Sequence, residues 1–306
     1  MNATERAAWI SARREYLGAT ELADITLARL GLRGYASPFQ IYQQKVGLAE
    51  PEPEKARGEW GPLEFGSRQE SIVAEWYSEA SGYQVEPVPE VLRHPEYPFL
   101  GANIDRRIVG ERAGLECKTA DKFEQFKDEK WGSGTDEDDD RVPPRHFIQC
   151  SIYLAITEWE WWALAALFGG NHPRKFRIEP DKKIIADVIA IGVDFWRNNV
   201  EKRIPPAAVD SADLRRKWKD SIGGSMLEVD SRTADLVSQY REAKAEQKAI
   251  TEKASRLQAE IGDVLGPHEI LTYNGQELLT WKTQENKGYV VQPYESRVMR
   301  LKAAKK

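Results

Sequence analysis

Apolar residues recur at two periods along this chain, and the switches between them mark out its elements. Behind Thr20 and Glu21, the residues Leu22, Ile25, Leu27 and Leu30 follow helical spacing, which predicts a capped helix stopping near Gly31. Ser37-Pro38 opens a second helix carrying Phe39, Ile41, Tyr42 and Val46, and Gly47 ends it. Residues 49–57 (AEPEPEKAR) read as an exposed connector. A longer helix from about Pro62 to Ala80 then sets Ile72, Val73, Trp76 and Tyr77 on one face. Residues 83–92, 104–109 and 113–119 read as short strands. A helix near 145–157, an apolar strand near 160–168, a strand at Lys175–Glu179 and a helix over Lys183–Glu201 complete the pattern.

After Pro205-Pro206 the pattern changes. Leu236, Tyr240, Ala243, Gln247, Ile250, Ala254, Leu257, Ile261 and Val264 alternate steps of four and three with charged residues between, the heptad of a coiled-coil or helical-hairpin arm. Gly266-Pro267 stops it, and Asn274-Gly275 between Ile270–Tyr273 and Glu277–Lys282 signals a β-hairpin. The chain therefore reads as a mixed α/β domain over residues 1–210 and a separate module, helical arm plus hairpin, over 226–306.

Composition narrows the function. Subtracting 49 Asp and Glu from 44 Lys and Arg leaves a net charge of −5, which excludes nucleic-acid binding through bulk positive charge but leaves room for a local basic groove. A charged share of 30% and a hydrophobic share of 41% fit a folded globular chain. The longest apolar run, Trp161 to Phe168, falls short of the ~18 residues of a membrane span, and the N-terminus carries no apolar signal core. A cytoplasmic protein with no membrane partner is expected. Two cysteines support neither a disulfide framework nor a four-thiolate metal site.

The densest chemistry lies in residues 99–120, FLGANIDRRIVGERAGLECKTA. Asp105 precedes a strand, a glycine turn follows, and the next strand carries Glu116, Cys117 and Lys118. A hairpin brings Asp105 beside the Glu116 end, and strand alternation projects Glu116 and Lys118 to one side while Cys117 points away. Two carboxylates suit Mg²⁺ or Mn²⁺, Lys118 can orient or deprotonate a water, and the Cys117 carbonyl can add a ligand.

This set resembles the PD-(D/E)XK nuclease superfamily, with Ile104 where that pattern has proline. Over residues 10–205 the chain is similar to the YqaJ viral recombinase group, related to lambda exonuclease and the RecE nuclease. ARREYLGATELA (12–23) resembles the segment in which an arginine and a hydroxyl hold a 5′ phosphate, placing Arg13 and Thr20 there. FGSRQE (65–70) resembles a helix-borne acidic motif, making Glu70 a further metal ligand, with Glu64 as rival. In EYPFLGANID (96–105), Asn103 falls where a relative uses a phosphate-contacting serine. QCSIY (149–153) matches the Gln-x-x-x-Tyr helix of RecB-like nucleases, assigning Gln149 to the active centre and Tyr153 beside it toward DNA.

The resemblance implies a restriction-endonuclease-like core, with a mixed central sheet flanked by helices. It implies a Mg²⁺-dependent (or Mn²⁺-dependent) 5′→3′ exonuclease on linear double-stranded DNA, leaving 3′ single strands for recombination. Catalytic residues would be Asp105, Glu116, Lys118 and Gln149, and a two-metal site would draw on Glu70, Asp105, Glu116 and Cys117. It further implies a ring-shaped homo-oligomer and a single-strand annealing partner, in a phage or prophage setting. The rival readings are a structure-selective endonuclease without end recognition, and a non-catalytic DNA-binding or scaffold protein.

Other features carry plainer readings. His94 reads as a loop residue structuring Pro95, and His146, His172 and His268 form no metal spacing. The acidic run 136–140 reads as a solvated loop, and Trp159, Trp161 and Trp162 as packing beside Leu164 and Leu167.

Overall fold

The computed structural model describes residues 11–49, 62–121, 131–132 and 141–285. Nearly all of the connector and the whole acidic run lie outside them. The chain divides into two compact units, 1–217 and 218–306.

The first unit is built on a mixed five-stranded sheet. Its strands are β2 (Val85–Pro87), β5 (Arg106–Ile108), β6 (Ala113–Ala120), β7 (Trp161–Phe168) and β8 (His172–Ile178), in the spatial order β2-β5-β6-β7-β8. Only β6 and β7 run parallel, with Glu116 level with Leu164. The strand WWALAALF is buried along its whole length because helices cover both sheet faces. Trp161, Ala163, Ala165 and Leu167 face Val73, Ala74 and Tyr77 of helix α3 (Pro62–Ser81), whereas Trp162, Leu164, Ala166 and Phe168 face the opposite layer. That layer holds α1 (Ala19–Arg29), α4 (Pro144–Thr157) and α5 (Lys182–Phe195). Gly114 is obligatory in this packing: a Cβ there would stand 2.3 Å from the Trp162 ring.

A second, three-stranded sheet escapes sequence periodicity because its members are two or three residues long. In it β4 (Leu100–Ala102) runs parallel to β1 (Leu17–Gly18) and antiparallel to β3 (Leu92–Arg93). The turn between β3 and β4 is closed by His94, whose Nδ1 accepts from the Glu96 and Tyr97 amides at 3.1 Å each. The expected helix over 183–201 is α5 followed by a π-helical stretch, Trp196–Glu201.

Caps explain the helix starts. In α2 (Pro38–Lys45) the Ser37 hydroxyl accepts from the Gln40 amide at 3.1 Å and the Gln40 side chain accepts from the Ser37 amide at 2.9 Å, a reciprocal capping box. Thr20 is not the cap of α1. The cap position is Gly18, whose amide donates to Glu21 Oε2 at 2.8 Å. The first unit also extends past the expected boundary at 210, because α6 (Ser211–Lys217) is pinned by buried Asp213. That carboxylate accepts from the Ser37 hydroxyl at 2.6 Å and the Val209 amide at 3.2 Å.

In the second unit α7 (Ser231–Leu265) is capped by Asp230, which accepts from the Thr233 amide at 2.9 Å. Strands β9 (Ile270–Tyr273) and β10 (Gln276–Thr280) pair antiparallel, and Asn274 and Gly275 both take positive φ (50° and 78°), as the Asn-Gly hairpin turn requires. Among the described residues, no helix is long and apolar enough to cross a membrane.

Candidate active site

The parallel β6–β7 pair fixes which side chains meet in the interior. Glu116 and Lys118 project from β6 toward α4, and Cys117 projects to the other face, where it packs with Val73 and Tyr77. Glu116 is only 3% exposed. Its Oε1 accepts two donors, Lys118 Nζ and Gln149 Nε2, the latter at 2.8 Å. Its Oε2 is buried and, among the described residues, has no hydrogen-bond partner. Burial acts to lower the Lys118 pKa, but the Glu116 charge and hydrogen bond outweigh it and hold the ammonium above its ordinary value.

Asp105 sits just before β5, and its Oδ2 accepts the Cys117 amide at 2.7 Å, so the hairpin brings the two acids together as expected. Burial first, and then the nearby Glu116 charge, push the Asp105 carboxyl well above its usual range, against the pull of the Cys117 amide. Two carboxylates packed this closely with little solvent repel one another and call for a compensating cation. Glu70, on α3, lies close enough to raise the Asp105 pKa further. Its carboxylate is turned to Arg106, at 2.6 Å, whose guanidinium also donates to the Asp105 carbonyl. Among the described residues no three His, Cys, Asp or Glu side chains converge as a ready metal cage. The Glu64 side chain lies outside the described residues.

Gln149 and Tyr153 share one face of α4, and here the expectation for Tyr153 fails. Tyr153 is 2% exposed, its ring packs on Trp162 with centroids 4.8 Å apart, and its hydroxyl accepts from Gln149 at 2.6 Å. It faces the core and holds Gln149 toward Glu116.

A second cluster forms where α1 begins. Arg13 reaches Glu21 at 3.3 Å, and Lys45 of α2 reaches the same carboxylate at 2.7 Å while donating to the Arg13 carbonyl at 2.6 Å. The Arg93 guanidinium lies 4.0 Å from the centre of the Tyr16 ring, with Lys45 5.5 Å from it on the same residue, and Asn103 donates to the Tyr16 hydroxyl at 3.1 Å. Burial pushes Lys45 below its ordinary value, and the neighbouring Arg13 and Arg93 charges add to the effect. Thr20 lies exposed in the first turn of α1. Sequence reasoning found Arg13, Thr20 and Asn103 but missed Tyr16, Glu21, Lys45 and Arg93. One signal was there: Lys45 follows Ile41 by four residues, on the stripe of α2 that is otherwise apolar.

Also missed is the support at the start of α4. Asp24, 2% exposed, accepts from the amides of Tyr35 and Ala36 and from Arg145 Nε at 3.0 Å, and the Arg145 guanidinium lies over Tyr35. Arg145 and His146 both lie within electrostatic reach of Lys118.

Residues 8–160, half of the chain, match the model of the YqaJ-like viral recombinase domain. This chain belongs to that family. The protein YqaJ of Bacillus subtilis (strain 168) is 28% identical over 259 residues, covering 83% of this chain and 76% of that protein. An alkaline exonuclease from Laribacter hongkongensis shares the fold, with a TM-score of 0.50 and 18% identity over 69% of this chain and 97% of its own. The core is thus restriction-endonuclease-like, as the motifs implied. The YqaJ-like match takes in every residue of both clusters, from Arg13 to Tyr153, and ends before α5, α6 and the tail. The family is that of YqaJ-like viral recombinase domains, and the fold is shared with an alkaline exonuclease.

Proposed function

We propose that this protein is a Mg²⁺-dependent exonuclease that degrades linear double-stranded DNA 5′→3′ and leaves 3′ single strands for annealing. The observation that carries the reading is Glu116, whose one oxygen is held by Lys118 and Gln149 while the other, buried beside Asp105, has no partner among the described residues. An orphaned carboxylate oxygen in a dry pocket is costly unless something binds it. Mg²⁺ fits this donor set because it commonly takes only one or two carboxylates and keeps its waters; Mn²⁺ fits the same oxygens. Asp105 and Glu116 would hold it, with the Cys117 carbonyl, and Glu70 would join a second site only by releasing Arg106. Such an ion supplies Lewis-acid polarisation of a phosphate and a more acidic water. Gln149 keeps Glu116 oriented, and Lys118 balances its charge and stands ready to hold a water by hydrogen bond.

End recognition falls to the second cluster. Two cations, Arg13 and Lys45, pair with Glu21 beside the start of α1, with Arg93 nearby over Tyr16, and the helix dipole there also favours an anion. A 5′ phosphate is the anion this arrangement suits, with Thr20 and Asn103 as neutral donors. Residues 218–306 serve assembly and docking of a single-strand annealing protein in this reading, within a ring-shaped oligomer.

The test is a time course on linear and circular duplexes, each in Mg²⁺ and in chelator, with 5′-phosphate and 5′-hydroxyl ends on the linear form. The reading expects degradation of linear DNA only, in Mg²⁺ only, faster from phosphorylated ends. Nicking of the circle would favour an endonuclease. Absence of cleavage under every condition would leave a binding or scaffold protein.

A further inference from the structure

The turn between β3 and β4 depends on one ring nitrogen. In residues 95–98 (PEYP), Pro95 and Pro98 have no N–H, and the two amides that remain, Glu96 and Tyr97, both donate to His94 Nδ1 at 3.1 Å. The His94 amide donates to the Leu100 carbonyl at 3.0 Å and the Leu100 amide to the Tyr97 carbonyl at 2.8 Å, which closes the loop from both ends. His94 is buried, with its ring centre 5.1 Å from that of Tyr97. Burial also favours the neutral ring, whose Nδ1 can accept, and outweighs the opposing charges of Glu96 and Glu158.

What this turn presents is Arg93. The guanidinium donates to the Pro98 carbonyl at 3.1 Å, so the turn itself holds it, and it lies 4.0 Å from the centre of the Tyr16 ring. Tyr16 is fixed by β4, since its ring lies so close over Gly101 that a Cβ there would stand 2.5 Å from it. No carboxylate among the described residues pairs with Arg93. Its charge reaches Lys45 and helps to lower the pKa of that ammonium. Arg93 is thus brought to the cationic cluster by a carbonyl whose place depends on His94.

We infer that His94 is a positioning residue for recognition of a 5′ phosphate: its Nδ1 sets the turn, the Pro98 carbonyl of that turn sets Arg93, and Arg93 pairs with the phosphate. This rests on the reading of the cluster around Arg13 as the end-binding site. The role needs an acceptor atom and not an imidazole. In asparagine Oδ1 stands two bonds beyond Cβ, as Nδ1 does in histidine, and it accepts readily from backbone amides two and three residues ahead. In phenylalanine the ring remains and the acceptor is gone.

The test uses the full-length chain and measures binding, in chelator so that nothing is cut, of a DNA hairpin whose single open end carries a 5′ phosphate or a 5′ hydroxyl. Wild type should prefer the phosphate. His94→Phe should reduce that preference roughly fivefold, since the Arg93 charge stays but its position is lost, and His94→Asn should keep it. Arg93→Ala should reduce it at least as far, and adding His94→Phe to Arg93→Ala should change it no further. Thermal melts check that each variant is folded, and His94→Leu replaces a phenylalanine variant that is not, with the same expectations. A preference kept by His94→Phe, lost in His94→Asn, or reduced further by His94→Phe once Arg93 is gone would overturn the inference and leave the end-binding site in place. A wild type that binds both ends equally would instead remove the site itself, and the inference with it.

Discussion

Two regions of the first unit carry unbalanced charge of opposite sign. Around β6, the carboxylates of Asp105, Glu116 and Glu70 outnumber Lys118 and Arg106, with Glu116 buried between sheet and α4. At the start of α1, Arg13, Lys45 and Arg93 outnumber Glu21, and the excess is cationic. Selection for stability alone would have neutralised both, since buried charge is costly unless paired. Their opposite imbalances teach what is missing from each: a cation at one, an anion at the other. In the proposed function a divalent ion and a DNA end would supply both, and the chain after β4 carries both Asn103 and Asp105.

The largest effect should come from the acidic region. Glu116→Gln keeps the shape and leaves an oxygen for Gln149 to donate to, but it removes the charge that a cation needs. It also relieves the repulsion on Asp105, so the thermal midpoint should stay within a few degrees of wild type. Cleavage should fall roughly 10³-fold or more, because the group acts on developing charge in a low-dielectric site. Substantial digestion by a folded Glu116→Gln protein would remove this region from the chemistry.

In the cationic region, Arg13→Ala should act on substrate choice. Wild type should prefer 5′-phosphorylated over 5′-hydroxyl ends, and the variant should lose that preference by about tenfold or more, as expected for a charge-assisted contact of about 1.5–3 kcal/mol. Rates on the two ends, measured side by side, decide it. An undiminished preference would mean that Arg13 only braces Glu21.

The two regions also differ in how readily a sequence discloses them. Asp105, Glu116 and Lys118 lie within fourteen consecutive positions, and strand alternation alone states that Glu116 and Lys118 share a face. Gln149 and Tyr153 are legible for the same local reason, one helical turn apart. The cationic cluster is tertiary: Lys45 at the end of α2 and Arg93 in β3 come to Arg13 just before β1, and strands as brief as Leu17–Gly18 leave no periodic trace. Tyr153 shows the converse limit. Spacing placed it on the right face of α4, but whether that face looks toward DNA or into Trp162 depends on the sheet beneath it.

A pH experiment probes the border between the regions. His146 sits at the start of α4, its ring packed on Trp131 at 5.6 Å, and its pKa is lowered to about 3 by burial and by the charges of Lys118 and Arg145. The folded value lies below the unfolded one of ~6.5, so the neutral form belongs to the native state. Its contribution is complete above pH ~6.5 and is lost as pH falls below that, at about 1.4 kcal/mol per unit. Between pH 6.5 and 5, wild type should therefore lose about 2 kcal/mol more than His146→Asn in denaturant titrations. Parallel profiles for the two proteins would show that His146 titrates normally and that the cations do not crowd it.

The smallest effect tests whether the acidic region is organised from behind. Tyr153 touches neither a phosphate nor a carboxylate; its hydroxyl accepts one N–H of Gln149, whose amide also donates to Glu116. Tyr153→Phe deletes that acceptor and leaves the ring on Trp162. The freed N–H costs about 1 kcal/mol or lets the amide rotate away from Glu116. The rate should fall about three- to tenfold, in keeping with that energy, because Glu116 loses part of its orientation. The affinity for DNA should not change, since the hydroxyl is shut inside the core. A residue that contacted DNA would give the reverse split, with KM raised and kcat held. If Tyr153→Phe weakens binding and spares the rate, α4 must open toward the substrate, and the assignment of Tyr153 to positioning Gln149 is wrong.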